Sequence, residues 1–216
     1  MDLCYPVDAT KKPRGLKYSI RTVDCNLEFD DLYIIGKKPN WLRAKELRKW
    51  DTHLNPIKNV LDKLEVVVDS DVSEDFIWMN DDIYLMREYK EIPYYHRGKI
   101  KEKEGGEYWD WRLENLKEQF PGGYFFEPHF PIVFNKQKVS ELIEEFGKEK
   151  ISQAAHRSYY CNYHGIKGER VEDYKFYNKK ELTTDVPFFS TTDEAEKSDA
   201  FKSLFQNFPK SRYEKN

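Results

Sequence analysis

The sequence predicts a single α/β domain with a mostly parallel central sheet and helices on both of its faces. Three observations carry that reading. An apolar run, an amphipathic helix and a second apolar run follow one another over residues 2–36, the order of a parallel βαβ unit. A third apolar run, Phe76-Ile77-Trp78-Met79, has the length and composition of a buried strand. That run ends in Asn80-Asp81-Asp82, two adjacent carboxylates with apolar residues on both sides.

The 216 residues suit one domain with an ample core. Lys and Arg total 36 against 39 Asp and Glu, a formal charge of −3, which excludes a whole-chain electrostatic grip on nucleic acid and leaves only a local basic patch. The 15 Tyr, 14 Phe and 5 Trp fill a core and also suit stacking on bases and sugars. Cys4, Cys25 and Cys161 lie far apart, with no pair at metal-ligand spacing. Zinc is therefore not expected, and reduced thiols suit a reducing cytoplasm. The N-terminus lacks the basic start and long apolar segment of a signal peptide, and no run approaches the roughly 20 apolar residues of a membrane span. The expectation is a soluble cytoplasmic protein.

Residues 2–7 form the first strand and the polar stretch 8–15 the loop after it. Leu16, Ile20, Val23 and Leu27 recur at helical spacing and predict a helix over 16–27, with Lys17 and Arg21 facing either solvent or a ligand. Leu32-Tyr33-Ile34-Ile35 is the second strand, ended by Gly36, and Trp41-Leu42 tucks into the core beyond a Pro-Asn turn. Residues 43–54 are charged and carry no element assignment. Ile57, Val60, Leu61 and Leu64 predict a helix over 55–65, with Asn55 as cap and Pro56 at its first position. Val66-Val67-Val68 either extends it or forms a short strand.

Beyond the third strand, the stretch 92–98 is aromatic and then basic. Arg97 beside His96 suits a phosphate, while Pro93 and Gly98 suit an ordinary loop. The charged, glycine-rich stretch 99–107 reads as a mobile loop of the kind that acts as a lid. Trp109, Leu113, Leu116 and Phe120 mark a helix stopped by Pro121-Gly122-Gly123. His129 stands between Pro128 and Pro131 in an apolar context, where a histidine is by default a core or turn residue. Asn135 or Ser140 starts the next helix, with the stripe Val139, Leu142, Ile143 and Phe146. A further helix is expected over 151–165, carrying His156, Arg157 and His164 and stopped by Gly165. Residues 186–191 suit a final strand, Asp193 a cap for a last helix, and the end from about 209 a polar tail.

The chemistry centres on Asp81 and Asp82. Ionised carboxylates are costly to bury without a partner. At the carboxyl end of a buried strand they sit where open α/β sheets bind ligands. Magnesium and manganese prefer oxygen donors and commonly bridge one or two carboxylates to the phosphates of a nucleotide. The stretch thus reads as a metal–diphosphate site, or else as a polar turn between two strands, since Asn-Asp pairs are common turn formers.

Several separated pieces resemble one family in its own order: 16–21 (LKYSIR), 32–35 (LYII) through Pro39-Asn40-Trp41-Leu42, Asp75 to Asp82, His129-Phe130-Pro131, and Arg157-Ser158 followed by Asn162 and Gly165. Together they resemble the Stealth proteins, sugar-phosphate transferases of bacterial capsule synthesis and of lysosomal-enzyme phosphorylation. More closely, they resemble the family's short bacterial and phage-encoded glycosyltransferase relatives. The likeness spans about residues 2–165. Residues 2–8 are a degraded version of the family's opening block, and the large insertions of its animal members are absent.

The resemblance implies a nucleotide-sugar-binding fold of the GT-A type and a donor that is a nucleotide sugar, with a UDP-sugar foremost. It places manganese or magnesium on Asp81 and Asp82, and Asn80, Arg21 and Arg97 on the donor. Asp82, Arg157 and His129 form the implied catalytic set. Arg157 would stabilise charge on phosphate oxygens. His129 would act as base toward the acceptor hydroxyl or as a further metal ligand, the former suited by an unperturbed pKa near 6.5. Two reactions fit: glycosyl transfer with a nucleoside diphosphate leaving, or transfer of a sugar phosphate with a nucleoside monophosphate leaving. A third reading, of another class, is a non-catalytic module for carbohydrate or nucleic acid. The acceptor is a glycan or, for a phage-encoded enzyme, modified DNA, and the setting a bacterial or phage-infected cytoplasm.

Overall fold

A computed structural model describes residues 1–8, 14–101, 107–177, 185–206 and 208–215. The elements are β1 (Asp2–Pro6), α1 (Leu16–Asn26), β2 (Leu32–Ile35), β3 (Lys45–Leu47), α2 (Pro56–Val68), β4 (Asp75–Trp78), β5 (Ile83–Leu85), β6 (Tyr95–His96), α3 (Glu107–Gln119), β7 (Ile132–Asn135), α4 (Lys136–Ser152), α5 (His156–Tyr163), β8 (Glu169–Arg170), β9 (Lys175–Phe176), β10 (Phe188–Thr191), α6 (Asp193–Glu196) and α7 (Asp199–Phe205). The central sheet has the order β3-β2-β1-β4-β7. Its first four strands are mutually parallel, and β7 closes the edge antiparallel to β4.

This mainly parallel sheet is buried on both faces, as such sheets must be. Alternation along β1 shows how. Leu3 and Tyr5 face one apolar cluster with Leu16, Ile20 and Val23 of α1, while Cys4 faces another with Leu61, Leu64 and Val67 of α2. The chain steps from β1 outward to β2 and β3, then returns across β1 to β4 on its other side. The carboxyl ends of β1 and β4 therefore flank a topological switch point, where an open α/β sheet leaves a crevice. Two smaller sheets stand beside it: β5-β10-β9, with β5 antiparallel and β9 parallel to β10, and the pair β6-β8.

Local chemistry sets the helix ends. Asn55 Oδ1 accepts from the Ile57 N–H at 3.0 Å, with Pro56 in the first turn, so α2 starts as expected; such a cap stabilises a helix by about 1 kcal/mol. Val66 to Val68 extend that helix. Asn135, not Ser140, caps α4 by accepting from the Lys138 N–H. The helix expected over 151–165 is shorter than its pattern, because Ala155 is extended (φ −127°, ψ 108°) and separates α4 from α5. The charged stretch 43–54 hides β3, an edge strand in which only Leu47 is apolar. Asp193 lies in the first turn of α6, where Thr192 is the cap, and Ser198 caps α7.

The end of the chain is not a free polar tail. Tyr213 O accepts from the Arg43 N–H, the Lys215 N–H donates to Trp41 O, and Ser211 and Glu214 are buried. Glu214 accepts from Arg21 Nε at 2.6 Å and Nη2 at 3.0 Å, which supplies the charged partner that lets a polar segment dock. Most of the stretch expected as a lid, 102–106, lies outside the described residues. Among the described residues no helix is long and apolar enough to cross a membrane.

Candidate active site

A cavity of about 660 Å³ opens at the carboxyl ends of β1 and β4. Asp8 reaches it from β1, and Asn80, Asp81 and Asp82 from β4. The Met79 N–H still bonds Cys4 O at 3.0 Å, so the parallel ladder holds until the residue before Asn80 and then releases the chain into the crevice. Beyond Asp82 the chain turns into β5, and the Thr191 N–H donates to Asp82 O at 3.1 Å. That bond brings Thr191, Asp193 and Glu196 to the same cavity wall. Opposite them, α2 contributes Asn59, Val60 and Lys63.

The start of α1 approaches this wall closely because residue 15 has no side chain. A Cβ there would stand 2.4 Å from Glu196 Oε1, 2.5 Å from the Tyr84 hydroxyl and 2.6 Å from Asp81 O. Glu196 Oε1 in turn accepts from Tyr84 Oη at 2.9 Å and Thr191 Oγ1 at 3.0 Å.

The electrostatics of this wall are unbalanced. Burial, then the neighbouring Asp82 and Glu196, push the Asp81 carboxyl up to about 7. Burial also raises Glu196, despite the two hydroxyls that donate to it. Asp82 Oδ1 is buried with no hydrogen-bond partner. Lys63 lies in the same lining but is already engaged, its ammonium donating to Val7 O at 3.1 Å and Asp51 Oδ1 at 2.7 Å. An orphaned carboxylate oxygen beside a second buried carboxyl offers oxygen donors of the kind a hard cation takes. Among the described residues no three His, Cys, Asp or Glu side chains converge into a chelating group. The residues fit a cation shared between one or two carboxylates and a ligand's phosphates, not a cage made by protein alone.

His129 is held apart from the cavity lining by its own set of partners. Its Nδ1 bonds Asp173 Oδ2 at 2.7 Å, and its backbone N–H donates to Asp173 Oδ1 at 3.1 Å. The Lys175 ammonium stands 3.0 Å from Nε2. A lysine is a donor only, so Nε2 is the acceptor and the proton is on Nδ1. Burial alone would raise Asp173, but the hydrogen bonds from the ring and backbone of His129, with the charge of Arg97, hold it below the usual carboxylate range. With a carboxylate on one nitrogen and an ammonium on the other, both imidazole nitrogens are engaged.

Arg157 is buried in the first turn of α5, and its Nη1 donates to Pro128 O and Phe130 O. Burial lowers its affinity for its proton, and Glu127, Asp82 and Asp173 oppose that. It thus lies within the electrostatic reach of both the acidic wall and the His129 group. Glu127 Oε1 accepts from the Ser158 N–H at 3.0 Å and so closes the start of the same helix.

Of the residues singled out in the sequence, Asn80, Asp81 and Asp82 line the cavity together. His129 and Arg157 are joined through one loop outside its lining. Arg97 lies close enough to Asp173 for its charge to be felt there, and its guanidinium sits 6.0 Å from the centre of the Phe125 ring. Arg21 is elsewhere, committed to Glu214. The sequence did not single out Asp51, Lys63, Glu196, Asp173 or Lys175. Asp193 and Glu196 repeat the signal of the first acidic pair, acids just beyond an apolar strand. Asp173 has no such signal, since it meets His129 across 44 residues of chain.

Mainly parallel sheet, switch-point crevice and acidic turn after β4 define a GT-A-like glycosyltransferase fold. Comparison with solved structures finds the same fold in LgtC. The galactosyltransferase LgtC, in complex with donor and acceptor sugar analogues, superimposes with a TM-score of 0.57 at 10% identity over 96% of this chain and 96% of that one. An active-site mutant of LgtC gives 0.55 at 11% identity over 97% and 98%. The apo-form glycosyltransferase GlyE of Streptococcus pneumoniae TIGR4 gives 0.44 at 10% identity over 80% of this chain and 45% of that one. No family model matches the chain, and no curated protein matches it either. The likeness to LgtC is one of fold.

Proposed function

We propose that this protein is a metal-dependent glycosyltransferase whose donor is a nucleotide-activated sugar, a UDP-sugar foremost. The observation that carries this reading is the acidic wall at the switch point, where Asp82 Oδ1 lacks a partner and Asp81 is held near neutrality beside it. A module that bound carbohydrate or nucleic acid by stacking and basic contacts alone would not need that wall.

Manganese or magnesium held by Asp81 and Asp82 would neutralise charge on the leaving diphosphate. Arg14 and Lys197 line the same cavity and add positive charge for phosphates. His129 takes the proton of the acceptor hydroxyl at Nε2, and Asp173 fixes its tautomer and steadies the imidazolium that results. Arg157 positions the loop that presents His129. The acceptor is a glycan or a modified base of phage DNA. Transfer of a sugar phosphate, as in the Stealth proteins that the sequence resembles, is the second reading. It is favoured by the Lys175 ammonium beside His129, a cation where a phosphorus under attack would need one.

The test is thermal stability with a panel of nucleotides and nucleotide sugars, each with and without manganese or magnesium. A ligand at 100 times its Kd adds about 2.7 kcal/mol. The expected result is a melting shift that needs both metal and a nucleoside diphosphate and is absent in Asp81→Asn. No shift with any pair, in a protein that melts cooperatively, would overturn the reading. Product analysis then separates the two reactions: a released nucleoside diphosphate means glycosyl transfer, and a released monophosphate means sugar-phosphate transfer.

A further inference from the structure

Residues 37–49 carry six cations, Lys37, Lys38, Arg43, Lys45, Arg48 and Lys49, against one acid, Glu46, in a chain whose formal charge is −3. The fold gathers them on the open edge of the central sheet, on β3 and the segments either side of it. There the docked C-terminus completes a groove of about 340 Å³, lined by Lys38, Arg43, Lys45 and Lys215 with a single acid, Asp31, among its described lining residues. Asp31 is engaged by Lys45 at 2.8 Å, and Glu46 by the Lys38 N–H at 2.9 Å and Arg48 Nε at 3.2 Å. The Lys38 ammonium bonds the neutral Ala44 O at 2.6 Å. Among the described residues no acidic side chain pairs with Lys37, Arg43 or Lys215. The groove shares no lining residue with the acidic cavity, yet the chain joins them. β3 runs parallel to β2, so its carboxyl end points to the crevice, and the chain continues through Arg48, Lys49 and Trp50 to Asp51 in the cavity lining. From Lys45 to Asp51 the backbone spans at most about 20 Å. Trp50, the residue before that lining begins, is 55% exposed.

We propose that this basic edge binds a single-stranded nucleic acid and leads it to the mouth of the cavity, where the strand is the acceptor. That the strand is the acceptor rests on the glycosyl-transfer reading; that it binds does not. A cationic groove that follows a phosphate backbone, beside an exposed aromatic on which bases stack, is the general means of holding single strands. Each cation without a carboxylate partner can neutralise a phosphate and release the counterion condensed on it. The chain sets the order of the parts: phosphates on the groove, a base on the Trp50 indole, and the cavity next to it. Within a duplex no base could enter that cavity, since chemistry on a base requires it to leave the stack. The acidic wall repels a phosphate backbone but not an uncharged base, so the phosphates stay on the edge. A neutral glycan would offer Lys37, Arg43 and Lys215 no counter-charge.

The experiment is fluorescence anisotropy of a labelled single strand of about 12 nucleotides, titrated with the full chain without donor or metal. Salt is varied from about 50 to about 200 mM. The expected result is saturable binding that weakens as salt rises. The double variant Arg43→Gln, Lys215→Gln changes two side chains with no hydrogen bond or ion pair among the described residues. It should lower affinity at least about tenfold and reduce the salt slope by roughly one to two. Trp50→Ala should lower affinity at least about fivefold and leave the salt slope unchanged. A melting scan of each variant confirms that it is folded. No binding at the lowest salt, or an affinity unchanged in either variant, would overturn the proposal. So would variant-sensitive binding to phosphatidylglycerol vesicles but not to the strand, which would make the edge a membrane contact. Donor binding is read separately, as the melting shift with UDP and magnesium, which both variants should keep. A strand that binds while that shift is absent would remove the acceptor role and leave the nucleic-acid surface in place.

Discussion

Arg157 holds His129 by the backbone on both sides: its Nη1 donates to Pro128 O at 3.3 Å and to Phe130 O at 2.5 Å. Sequence resemblance placed this arginine on a substrate phosphate. Its position makes it a positioning residue for the loop that carries the proposed base. Arg157→Ala leaves two buried carbonyls without their donor and removes the charge that opposes the desolvation of Glu127. A loss of about 3 kcal/mol in urea unfolding is expected, the usual cost of breaking a buried charged network from one side. Arg157→Lys keeps the charge without the guanidinium geometry. It should lower kcat more than it raises the donor KM, because its hydrogen bonds go to the loop that carries His129. A rise confined to the donor KM would instead put Arg157 on the donor.

Asp81 is a buried carboxyl that costs the folded protein stability. Its carboxyl is raised from the ordinary value of 3.8 to about 7, so the folded state holds a proton that the unfolded chain releases. The stability lost to this group therefore grows as pH rises from about 4 to 7 and is complete above the folded value. Asp81→Asn removes that cost and is expected to raise unfolding stability by about 1–3 kcal/mol at pH 8. At pH 4 it should change stability little. Urea unfolding at the two pH values checks the difference, and the same variant should abolish metal-dependent nucleotide binding. A variant less stable than wild type at pH 8 would mean that Asp81 is satisfied in the free protein.

Much of this was legible in the sequence, and the limits have physical causes. Helix α2, strand β4 and the Asn80-Asp81-Asp82 turn announce themselves through local pattern: cap, periodicity, and charge at the end of an apolar run. The partners of His129 do not, because Asp173 and Lys175 come from the polar stretch beyond α5, where periodicity carries no signal. Arg21 misled for a related reason. A cation on the first turns of α1 looks the same in sequence whether it meets a phosphate or Glu214, some 193 residues away. β3 escaped because an edge strand needs little apolar content, and the docked C-terminus because ion pairs, backbone bonds and the single ring of Tyr213 stacked on Phe29 hold it, with no apolar run to announce it.

His156 sets the acid limb of stability. Desolvation, then the adjacent Arg157, push its imidazole down to about 3, and its Nε2 is buried with no hydrogen-bond partner. The unfolded chain takes up this proton near pH 6.5 while the folded chain does not. Stability from His156 is complete above 6.5 and falls with pH toward 3. Between pH 6.5 and 5 the loss is on the order of 2 kcal/mol, at 1.36 kcal/mol per pH unit. His156→Phe places an apolar ring beside Phe134, whose ring centre lies 6.4 Å from the imidazole, and should flatten this limb. Asp81 has the opposite slope over part of the same range, so the double variant His156→Phe, Asp81→Asn isolates each contribution in urea unfolding at pH 5, 6 and 8. An unchanged acid limb in His156→Phe would place the charge-sensitive group elsewhere.

Gly15 links the helix to the chemistry. Its missing side chain allows α1 to rest against Asp81 O, the Tyr84 hydroxyl and Glu196 Oε1, all of which a Cβ would meet within 2.6 Å. Asp81 O is backbone and cannot swing aside, and Tyr84 is fully buried, so an added methyl must displace the start of α1 or the turn. Overpacking of this kind costs about 1–3 kcal/mol. Because the turn carries Asp81 and Asp82, Gly15→Ala is expected to weaken metal-dependent binding of a nucleoside diphosphate by more than its melting temperature suggests. Gly15 itself has an ordinary helical backbone (φ −68°, ψ −32°), so the effect is one of space and not of backbone strain. Calorimetric titration of the folded variant with UDP and magnesium measures it. Affinity equal to wild type would show that the helix start relaxes away from the turn without moving the carboxylates.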